Sequence, residues 1–446
     1  MNRPNHMLGR AQRGVAALAV SLVMLFAMSL VAFFLSRGLI FEQRTSANQN
    51  RSTQAFETAE GGIEWATGML NDRRMINAAC TPTAGQPQEF RDKYVAQVAL
   101  AASAGAMTRF DLSPSAADAR AGCRVNANGA VTCDCPAAGT APSPVPNTTL
   151  PSFTVLFEDE PADTESIRLT SFGCINQTAA CGLGATGGGD ATARVSVTLK
   201  LKPLMRAAPA AALTTGGWAQ VCGSFNITNA SGVANGNLVN SGGQTQIGNG
   251  TYLSGPMPPG APNCGGGGGQ TLATLPGTPI ANAIVANDPS LSALANDSNA
   301  MFAAFFGSTL DHYKATATTI TGNSAVNRAN NLITAYNAGY TNFWIDGDIQ
   351  FSGNQTLGSP QRPVNLVSTS NMSFNGNYNI YGVVYSDSAD WNDLGTGTSN
   401  IYGAVISRVN YRNNGNGTIV FDPDVLGRTR DAGVMVRVPG TWRDFF

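Results

Sequence analysis

The sequence VAALAVSLVMLFAMSLVAFFL, residues 15–35, decides how the rest of the chain is organised. None of these residues is charged, and a helix of this length is roughly 30 Å long, the hydrocarbon thickness of a bilayer. Three arginines (Arg3, Arg10 and Arg13) and no acidic residue precede it, so the positive-inside rule predicts a cytoplasmic N-terminus and export of the chain beyond residue 35. We therefore predict a membrane helix whose main apolar contacts come from Val15, Leu18, Leu22, Leu25, Phe26, Leu30, Phe33 and Phe34.

The residues before this helix differ from a secretory signal. A cleaved secretory peptide has a shorter apolar core that is followed by a small-residue cleavage site. Here the small residue, Gly14, comes before the apolar run and directly after Arg13. Cleavage between Gly14 and Val15 would remove residues 1–14 as a charged leader and leave the whole helix on the mature chain. This arrangement resembles a class III type IV prepilin leader.

A second pattern lies beyond the apolar run and consists of Glu42, Asn48, Arg51, Ala55, Phe56, Ala59 and Glu60. It resembles the N-terminal region of PilX-type minor pilins, and the resemblance covers about residues 10–70. An ordinary signal anchor that holds a periplasmic domain would explain the apolar run but not this second pattern. The fifth residue of the predicted mature chain is Ala19, where major pilins usually carry glutamate. PilX-like and type II secretion tip pseudopilins often have an apolar residue there, so an abundant shaft subunit is disfavoured.

The resemblance implies a minor pilin of a type IV pilus that needs no cofactor. Such a subunit is cut by prepilin peptidase, is methylated at its new N-terminus and passes through an inner-membrane assembly platform to the extracellular pilus. Its partners are other minor pilins, the major pilin and a large tip adhesin, and its outcomes are pilus assembly, adhesion or motility. One alternative is a type II secretion pseudopilin. Another, from a different class, is a periplasmic β-helix enzyme that acts on polysaccharide from an inner-membrane anchor.

Composition fits an exported, turn-rich β protein. Of the 446 residues only 12% are charged, the net charge is −1, and 50 are glycine. The chain has no basic excess that would point to nucleic acid and no acidic excess that would point to a cationic partner. All eight cysteines lie beyond the apolar run, which favours disulfides in an oxidising compartment.

The sequence alone does not fix the pairing of these cysteines. Proximity favours Cys174 with Cys181, and Cys222 with Cys264 is a weaker expectation. Cys133 and Cys135 are too close together for an easy mutual bridge, so we expect them to pair elsewhere, with Cys80 or Cys123 as candidates. A zinc site is not expected, because no Cys-x-x-Cys pair with histidine support exists.

Hydrophobic periodicity predicts an α+β protein that begins with the long helix over residues 15–71. A pilin-like α/β head with a small antiparallel sheet and a loop-rich insertion is expected over residues 72–205. Its strands alternate apolar and polar residues over 153–157, 166–171 and 193–201. Residues 205–215 read as a linker.

The second half predicts a mainly β domain over residues 216–430, with a helical insertion at about 281–340 and a C-terminal tail over 431–446. Asn379-Ile-Tyr-Gly returns as Asn400-Ile-Tyr-Gly, and Gly353 has an echo in Gly376. Short strands that recur at such intervals indicate a right-handed β-solenoid, in which each coil covers the apolar interior of the next. A β-sandwich with glycine-rich hairpins is the alternative.

We find no catalytic or metal motif in the sequence. His312 stands beside Asp311 in a predicted helix and reads as a solvated surface residue. Asp346 and Asp348 lie two residues apart on one strand face, where we expect them to cap a corner. A loop with three aspartates (Asp387, Asp390 and Asp393) offers oxygen ligands, but no calcium-binding motif accompanies it.

Overall fold

The computed structural model describes residues 12–83, 85–86, 88–95, 97–98, 109–110, 120–137, 142, 150–160, 166–175, 181, 191–232, 235–259, 261, 264, 269–388, 390–393 and 397–444. Most of the predicted leader therefore lies outside the described residues.

The helices are α1 Gln12–Asn71, α2 Phe90–Tyr94, α3 Pro289–Leu294, α4 Ser298–Phe306, α5 Leu310–Thr316, α6 Ala325–Asn337 and α7 Pro423–Asp431. The strands of the first half are β1 Gln97–Val98, β2 Arg109–Phe110, β3 Arg120–Val125, β4 Val131–Asp134, β5 Ser152–Asp159, β6 Ser166–Ile175 and β7 Ala191–Lys202. The next strands are β8 Leu213–Thr215, β9 Ala219–Val221, β10 Ser224–Thr228, β11 Val239–Ser241, β12 Thr245–Ile247, β13 Tyr252–Leu253, β14 Leu272–Ala273 and β15 Ile284–Val285. The last are β16 Thr318–Ile320, β17 Asn342–Ile345, β18 Ile349–Phe351, β19 Asn354–Leu357, β20 Val364–Ser368, β21 Met372–Phe374, β22 Asn377–Ser386, β23 Asp390–Asp393, β24 Thr398–Ser407, β25 Asn410–Asn413, β26 Asn416–Phe421 and β27 Val434–Arg437.

The second half of α1 packs on an antiparallel sheet with the strand order β27-β7-β6-β5-β3-β4. We call this unit, α1 from Ala55 onward together with the sheet, the head. The buried face of the helix recurs at three- and four-residue steps, as an amphipathic helix requires, and consists of Ala55, Ala59, Ile63, Ala66 and Leu70. A long helix ahead of a mainly β remainder confirms the predicted α+β class.

The last residues of the chain are part of the head, where the sequence led us to expect a tail. Strand β27 pairs antiparallel with β7, with Val434 opposite Lys202 and Arg437 opposite Leu199. The side chain of Asn71 ties this strand to the end of α1, because its Nδ2 donates to Met435 O at 3.0 Å. The large β domain is therefore an insertion between two neighbouring strands of the head. The four residues of β27 are too few for a clear periodic pattern, so the sequence did not predict its pairing with the distant strand β7.

The head sheet is also wider than expected. Residues 120–134 lie in the head, for which we expected only three strands and a loop-rich insertion, but they form the hairpin of β3 and β4, and β3 pairs with β5. The inward positions of β3 carry small residues such as Ala121 and Cys123, so the apolar signal of this short hairpin is weak. A disulfide between Cys123 and Cys133 fixes the hairpin.

The inserted domain is a solenoid of parallel strands, which excludes the β-sandwich alternative. One face runs β19-β22-β24-β26-β10-β14, and the next runs β16-β17-β20-β22-β24-β8-β11-β15. Strands β22 and β24 serve both faces and bend between them at Gly382 and Gly403, whose φ angles are 145° and 139°. The echoed segments lie on adjacent coils, with Ile380 opposite Ile401.

The coils do not stack in chain order. The chain enters at β8 in the middle of the second face and winds outward through β11 to β15. The helices α3 to α5 then carry it to the opposite end, where it resumes at β16 and winds back through β17, β20 and β22 to β24. Strand β24 then closes against β8, with Val405 opposite Leu213. Both connections to the head consequently leave from adjacent coils, and the solenoid begins at Leu213, inside the predicted linker.

The helical segment is capped and packed as its sequence indicates. The carboxylates of Asp288 and Asp297 accept hydrogen bonds from the first backbone N–H groups of α3 and α4. Phe302 and Phe306 stack with ring centroids 4.2 Å apart and contact Tyr385 of the solenoid edge to face. These aromatic residues are thus buried core.

Candidate functional site: the bare helix and its junction with the head

We call the part of α1 ahead of Ala55 the bare helix. Its apolar side chains from Val15 to Leu35 are exposed, and no other part of the chain that the structure describes covers them. The eight predicted contact residues are 43 to 71% exposed, and they are Val15, Leu18, Leu22, Leu25, Phe26, Leu30, Phe33 and Phe34. By length and composition this part of the helix can cross a membrane. Transfer of one such side chain out of water gains about 1.5–3 kcal/mol. The bare helix therefore requires lipid or other apolar helices around it.

The second sequence pattern is divided between solvent and core. Glu42, Asn48 and Arg51 are exposed on the bare part of the helix. Ala55 and Ala59 are fully buried against the sheet, whereas Phe56 is half-buried and Glu60 exposed. The pattern therefore marks the point where the helix passes from open surroundings into the head.

Close approach of helix and sheet explains the small residues at this point. A Cβ built at Gly173 of β6 would overlap the carbonyl oxygen of Ala55 and the backbone nitrogen of Ala59. One turn further along, a Cβ at Gly62 would overlap Ser171 Oγ and lie 2.9 Å from the ring of Phe153. At Gly173 the two backbones touch without an intervening side chain, so α1 packs directly on the sheet.

Gly173→Ala is expected to destabilise the head, because the added methyl group meets backbone atoms that cannot move alone. Overpacking of this kind costs about 1–3 kcal/mol or more. The matched control is Gly61→Ala on the same helix, where a Cβ meets nothing within 4 Å and alanine should gain up to about 1 kcal/mol of helix propensity. Denaturant unfolding of the detergent-solubilised chain measures both. Equal effects of the two substitutions would contradict the close contact.

The C-terminal segment, β27 and the residues after it, also contacts α1. Arg437 of β27 forms an ion pair with Glu64, with Nη2 2.7 Å from Oε1. Beyond the strand, Trp442 packs edge to face on Phe56 with ring centroids 6.0 Å apart. Phe56 therefore has a partner that the local sequence pattern did not reveal.

Arg91 joins the head to the inserted solenoid. The residue is fully buried, and its guanidinium donates to Leu70 O at 2.9 Å, Asp431 O at 3.1 Å and Gly433 O at 2.9 Å. These carbonyls belong to the last turn of α1, the last residue of α7 and the turn before β27. Burial lowers the pKa of the Arg91 guanidinium. One side chain thus satisfies three acceptors from two separate segments, the end of α1 and residues 431–433.

A second charged group lies beside Arg91. Arg73 Nη2 is 2.7 Å from Glu89 Oε1, and the Glu89 side chain is almost completely buried. Arg362 of the solenoid donates to Arg73 O at 3.1 Å and to Gly339 O. Burial raises the pKa of Glu89 to about 7, although the Arg73 cation opposes this rise. The contact region between the head and the solenoid therefore holds a carboxyl group whose pKa lies near neutral pH.

Glu89→Gln should change how stability depends on pH. In the wild type the unfolded chain releases this proton near pH 4.5 and the folded chain near pH 7, so folding loses stability as the pH rises through that window. Glutamine does not titrate. The unfolding free energy of the variant minus that of the wild type should therefore rise by on the order of 3 kcal/mol between about pH 5 and pH 8. A difference that stays constant over this range would contradict the assigned shift.

Four disulfides join the eight cysteines. Their pairs are Cys80–Cys135, Cys123–Cys133, Cys174–Cys181 and Cys222–Cys264. Cys133 and Cys135 thus have separate partners. The first bridge closes the loop after α1 onto the β3–β4 hairpin, and the last one holds the loop after β13 against the solenoid.

The candidate chemical groups lie apart from one another. His312 and Asp311 are exposed on α5. Asp348 Oδ1 accepts from Asn371 N at 3.0 Å, as a corner residue does, and Asp387 accepts from Ser298 Oγ at 2.8 Å and pairs with Arg408. The side chains of Asp390 and Asp393 lie outside the described residues. Over the described ranges no group of three or more His, Cys, Asp or Glu side chains could hold a metal ion.

Sequence reasoning missed three residues of this site: Arg91, Gly173 and Trp442. Arg91 lies in a short helix of ordinary polar composition, and Trp442 in the predicted tail. Gly173 could have been suspected, because it interrupts a strand of otherwise regular alternation.

Comparison with known proteins finds a family match for the N-terminal helix. Residues 13–64 match the family model described as PilX N-terminal. No curated protein matches the chain. Among solved structures the chain is similar to the competence-associated pilin ComZ from Thermus thermophilus, at 13% sequence identity over 88% of this chain and 97% of that chain, with a TM-score of 0.20. A score this low does not by itself establish a shared fold.

The family match covers the apolar helix, the second sequence pattern and the entry of α1 into the head, as the resemblance predicted. Residues 13–64 are thus similar to the PilX-type N-terminal region of type IV pilins.

Proposed function

We propose that this protein is a minor pilin that is incorporated into a type IV pilus. The observation that carries the proposal is the bare apolar helix, which continues without interruption into the head. Lipid would cover residues 15–35 before assembly, and the helices of neighbouring pilins would cover them in the filament. The solenoid would then be displayed outside the filament. Its two connections leave the head beside Asn71, at the end of α1 opposite the bare helix.

Cleavage between Gly14 and Val15 is part of the proposal. It would release the cationic leader and leave Val15 as the first residue of the apolar helix. Before assembly the N-terminus would face the cytoplasm and the head the periplasm, as the arginines of the leader favour. Methylation of the new N-terminus would come next, as in pilins generally.

A position at the tip is favoured by two features. Ala19 offers no carboxylate to the N-terminal amine of a subunit ahead, and such a contact has no purpose at the end of a filament. A solenoid of more than 200 residues on each subunit would also crowd a repeating shaft. The expected partners are therefore other minor pilins, the uppermost major pilin and a large tip adhesin.

Sheared and purified filaments test this function. An antibody against the solenoid should detect the chain in the filament fraction, and gold-labelled antibody should decorate filament ends. A strain that lacks the protein should lose surface pili. Labelling along the whole length would refute the tip position alone. Intact pili together with loss of an exported substrate would instead favour the secretion pseudopilin, and absence from every filament fraction would refute incorporation.

A further inference from the structure

The repeated Asn-Ile-Tyr-Gly segment contains two residues that the solenoid core does not use. Ile380 and Ile401 point into the apolar interior, and the glycines two residues later allow the strands to bend. Asn379 and Tyr381, and their equivalents Asn400 and Tyr402 on the next coil, are half-exposed. They lie on the outside of the solenoid face that β19, β22, β24, β26, β10 and β14 form. Their recurrence therefore requires an explanation other than burial.

The asparagines belong to a column that crosses five coils. Strand pairing places in one row Thr356, Asn379, Asn400, Thr418 and Asn226. Neighbouring members are separated by the strand spacing of about 4.8 Å. Each member carries an amide or a hydroxyl group. The column is thus an evenly spaced series of hydrogen-bonding side chains.

Asn379 and Asn400 keep hydrogen-bonding capacity for a ligand. Asn400 Nδ2 donates to Asn379 Oδ1 at 3.0 Å, which aligns the two amides. An amide has two donor hydrogens and an acceptor oxygen, so this bond leaves one donor and the oxygen on Asn400 and both donors on Asn379. The ladder bond fixes the amides in place and thereby lowers the entropy cost of binding.

A second column beside the first is aromatic at its centre. Tyr381 and Tyr402 stack with ring centroids 4.6 Å apart and an interplanar angle of 11°, and Val420 and Thr228 continue the row. In the part of the chain that the structure describes, neither phenol hydroxyl has a hydrogen-bond partner. The stack therefore offers a short apolar ridge with two hydroxyl groups.

The third column completes a face without charge, and it consists of Asn354, Asn377, Thr398, Asn416 and Ser224. A polyanion such as nucleic acid gains its affinity from Lys and Arg contacts, and none stands in these three columns. A protein partner would need a larger apolar centre than one tyrosine pair provides. A neutral polymer with many hydroxyl groups matches the face in charge and in hydrogen-bonding character.

We propose that this outer face of the solenoid, formed by β19, β22, β24, β26 and β10, binds a neutral polysaccharide. Sugar hydroxyls would bond to the amide and hydroxyl columns, and the apolar C–H faces of the sugar rings would pack along the tyrosine ridge. A chain that lies across the coils would meet the same groups at each step. This proposal does not depend on pilus assembly, because the face is complete in a single protein molecule.

The test is retention of the full-length, detergent-solubilised chain on microcrystalline cellulose, chitin and amylose, with silica beads as the blank matrix. The wild type should be retained by at least one polysaccharide and by no blank. Tyr381→Ala combined with Tyr402→Ala should weaken retention at least about tenfold, as loss of two or more contacts implies. Thr418→Lys, which puts a charge on the face and leaves the tyrosine stack intact, should do the same.

Matched controls separate binding from folding. Tyr252→Ala and Thr319→Lys alter the same residue types on other parts of the solenoid and should leave retention unchanged. Thermal unfolding of every variant shows which ones are folded, and Thr418→Lys carries the test if the double tyrosine variant is not. The proposal is overturned if no polysaccharide retains the wild type, or if the face variants bind as well as the controls. It is equally overturned if light scattering shows a dimer that Thr418→Lys dissociates, since a second copy would then occupy the face.

Discussion

Leu22→Lys combined with Leu25→Lys is expected to release the protein from the membrane fraction. Both side chains lie near the middle of the apolar run and are more than 60% exposed, so no part of the head can shelter the new charges. A lysine at the centre of a membrane helix costs about 2.5–3.5 kcal/mol, and two of them cost about 6 kcal/mol. Carbonate extraction of membranes, with immunoblotting of both fractions, measures the loss.

The control for this pair lies on the same helix outside the apolar run. Phe41→Lys combined with Thr45→Lys adds the same charge at exposed positions, and there lysine remains in water or among headgroups. Retention should equal that of the wild type. If both double variants stay in the membrane, the bare helix is not the anchor; if both are lost, added charge alone accounts for the effect.

Arg91→Leu is expected to loosen the connection between the head and the solenoid. Leucine fills part of the volume but leaves three buried carbonyl oxygens without their donor, those of Leu70, Asp431 and Gly433. An unsatisfied buried acceptor costs about 1–3 kcal/mol, so the unfolding free energy should fall by about 3 kcal/mol or more. Denaturant unfolding and limited proteolysis of the full-length chain measure this, and new cleavage should appear near residues 431–433.

Arg74→Leu is the control for Arg91→Leu. Arg74 lies nearby and pairs with Asp72, with Nη2 2.6 Å from Oδ2, but its side chain is 38% exposed. An exposed ion pair contributes about 0–1 kcal/mol, so this variant should unfold almost as the wild type does. A large effect of Arg74→Leu, or a negligible effect of Arg91→Leu, would contradict the role of Arg91 at the junction.

The elements that were predictable from sequence are those that repeat. The apolar run predicted α1, and the three- and four-residue steps of Phe56, Ala59, Ile63, Ala66 and Leu70 predicted the face that it packs on the head. All of these residues except the half-buried Phe56 are buried in the structure. Ile380 and Ile401 belong to echoed segments, and the structure pairs them on adjacent coils. The spacing of apolar residues depends on which side of each helix or strand is buried, and in α1 and in the stacked coils the same side is buried at each repeat.

The order of the coils could not be predicted, because periodicity does not say which coils are neighbours. Val405 and Leu213 are both ordinary aliphatic residues of β-strands, and nothing in either segment selects the other. The same holds for β27, which adds to the free edge of β7 after the chain has passed through the whole solenoid. Arg91 illustrates the limit at the candidate site, since its three acceptors are backbone atoms, and two of them lie about 340 residues away in the sequence.

The most direct test of the central claim is the mass of the N-terminal peptide of this chain, recovered from purified filaments of cells with active prepilin peptidase. The account predicts a peptide that begins at Val15 with a methylated amine and continues through the intact apolar helix. A peptide that still contains residues 1–14 would contradict it, as would a mature chain that begins beyond Leu35.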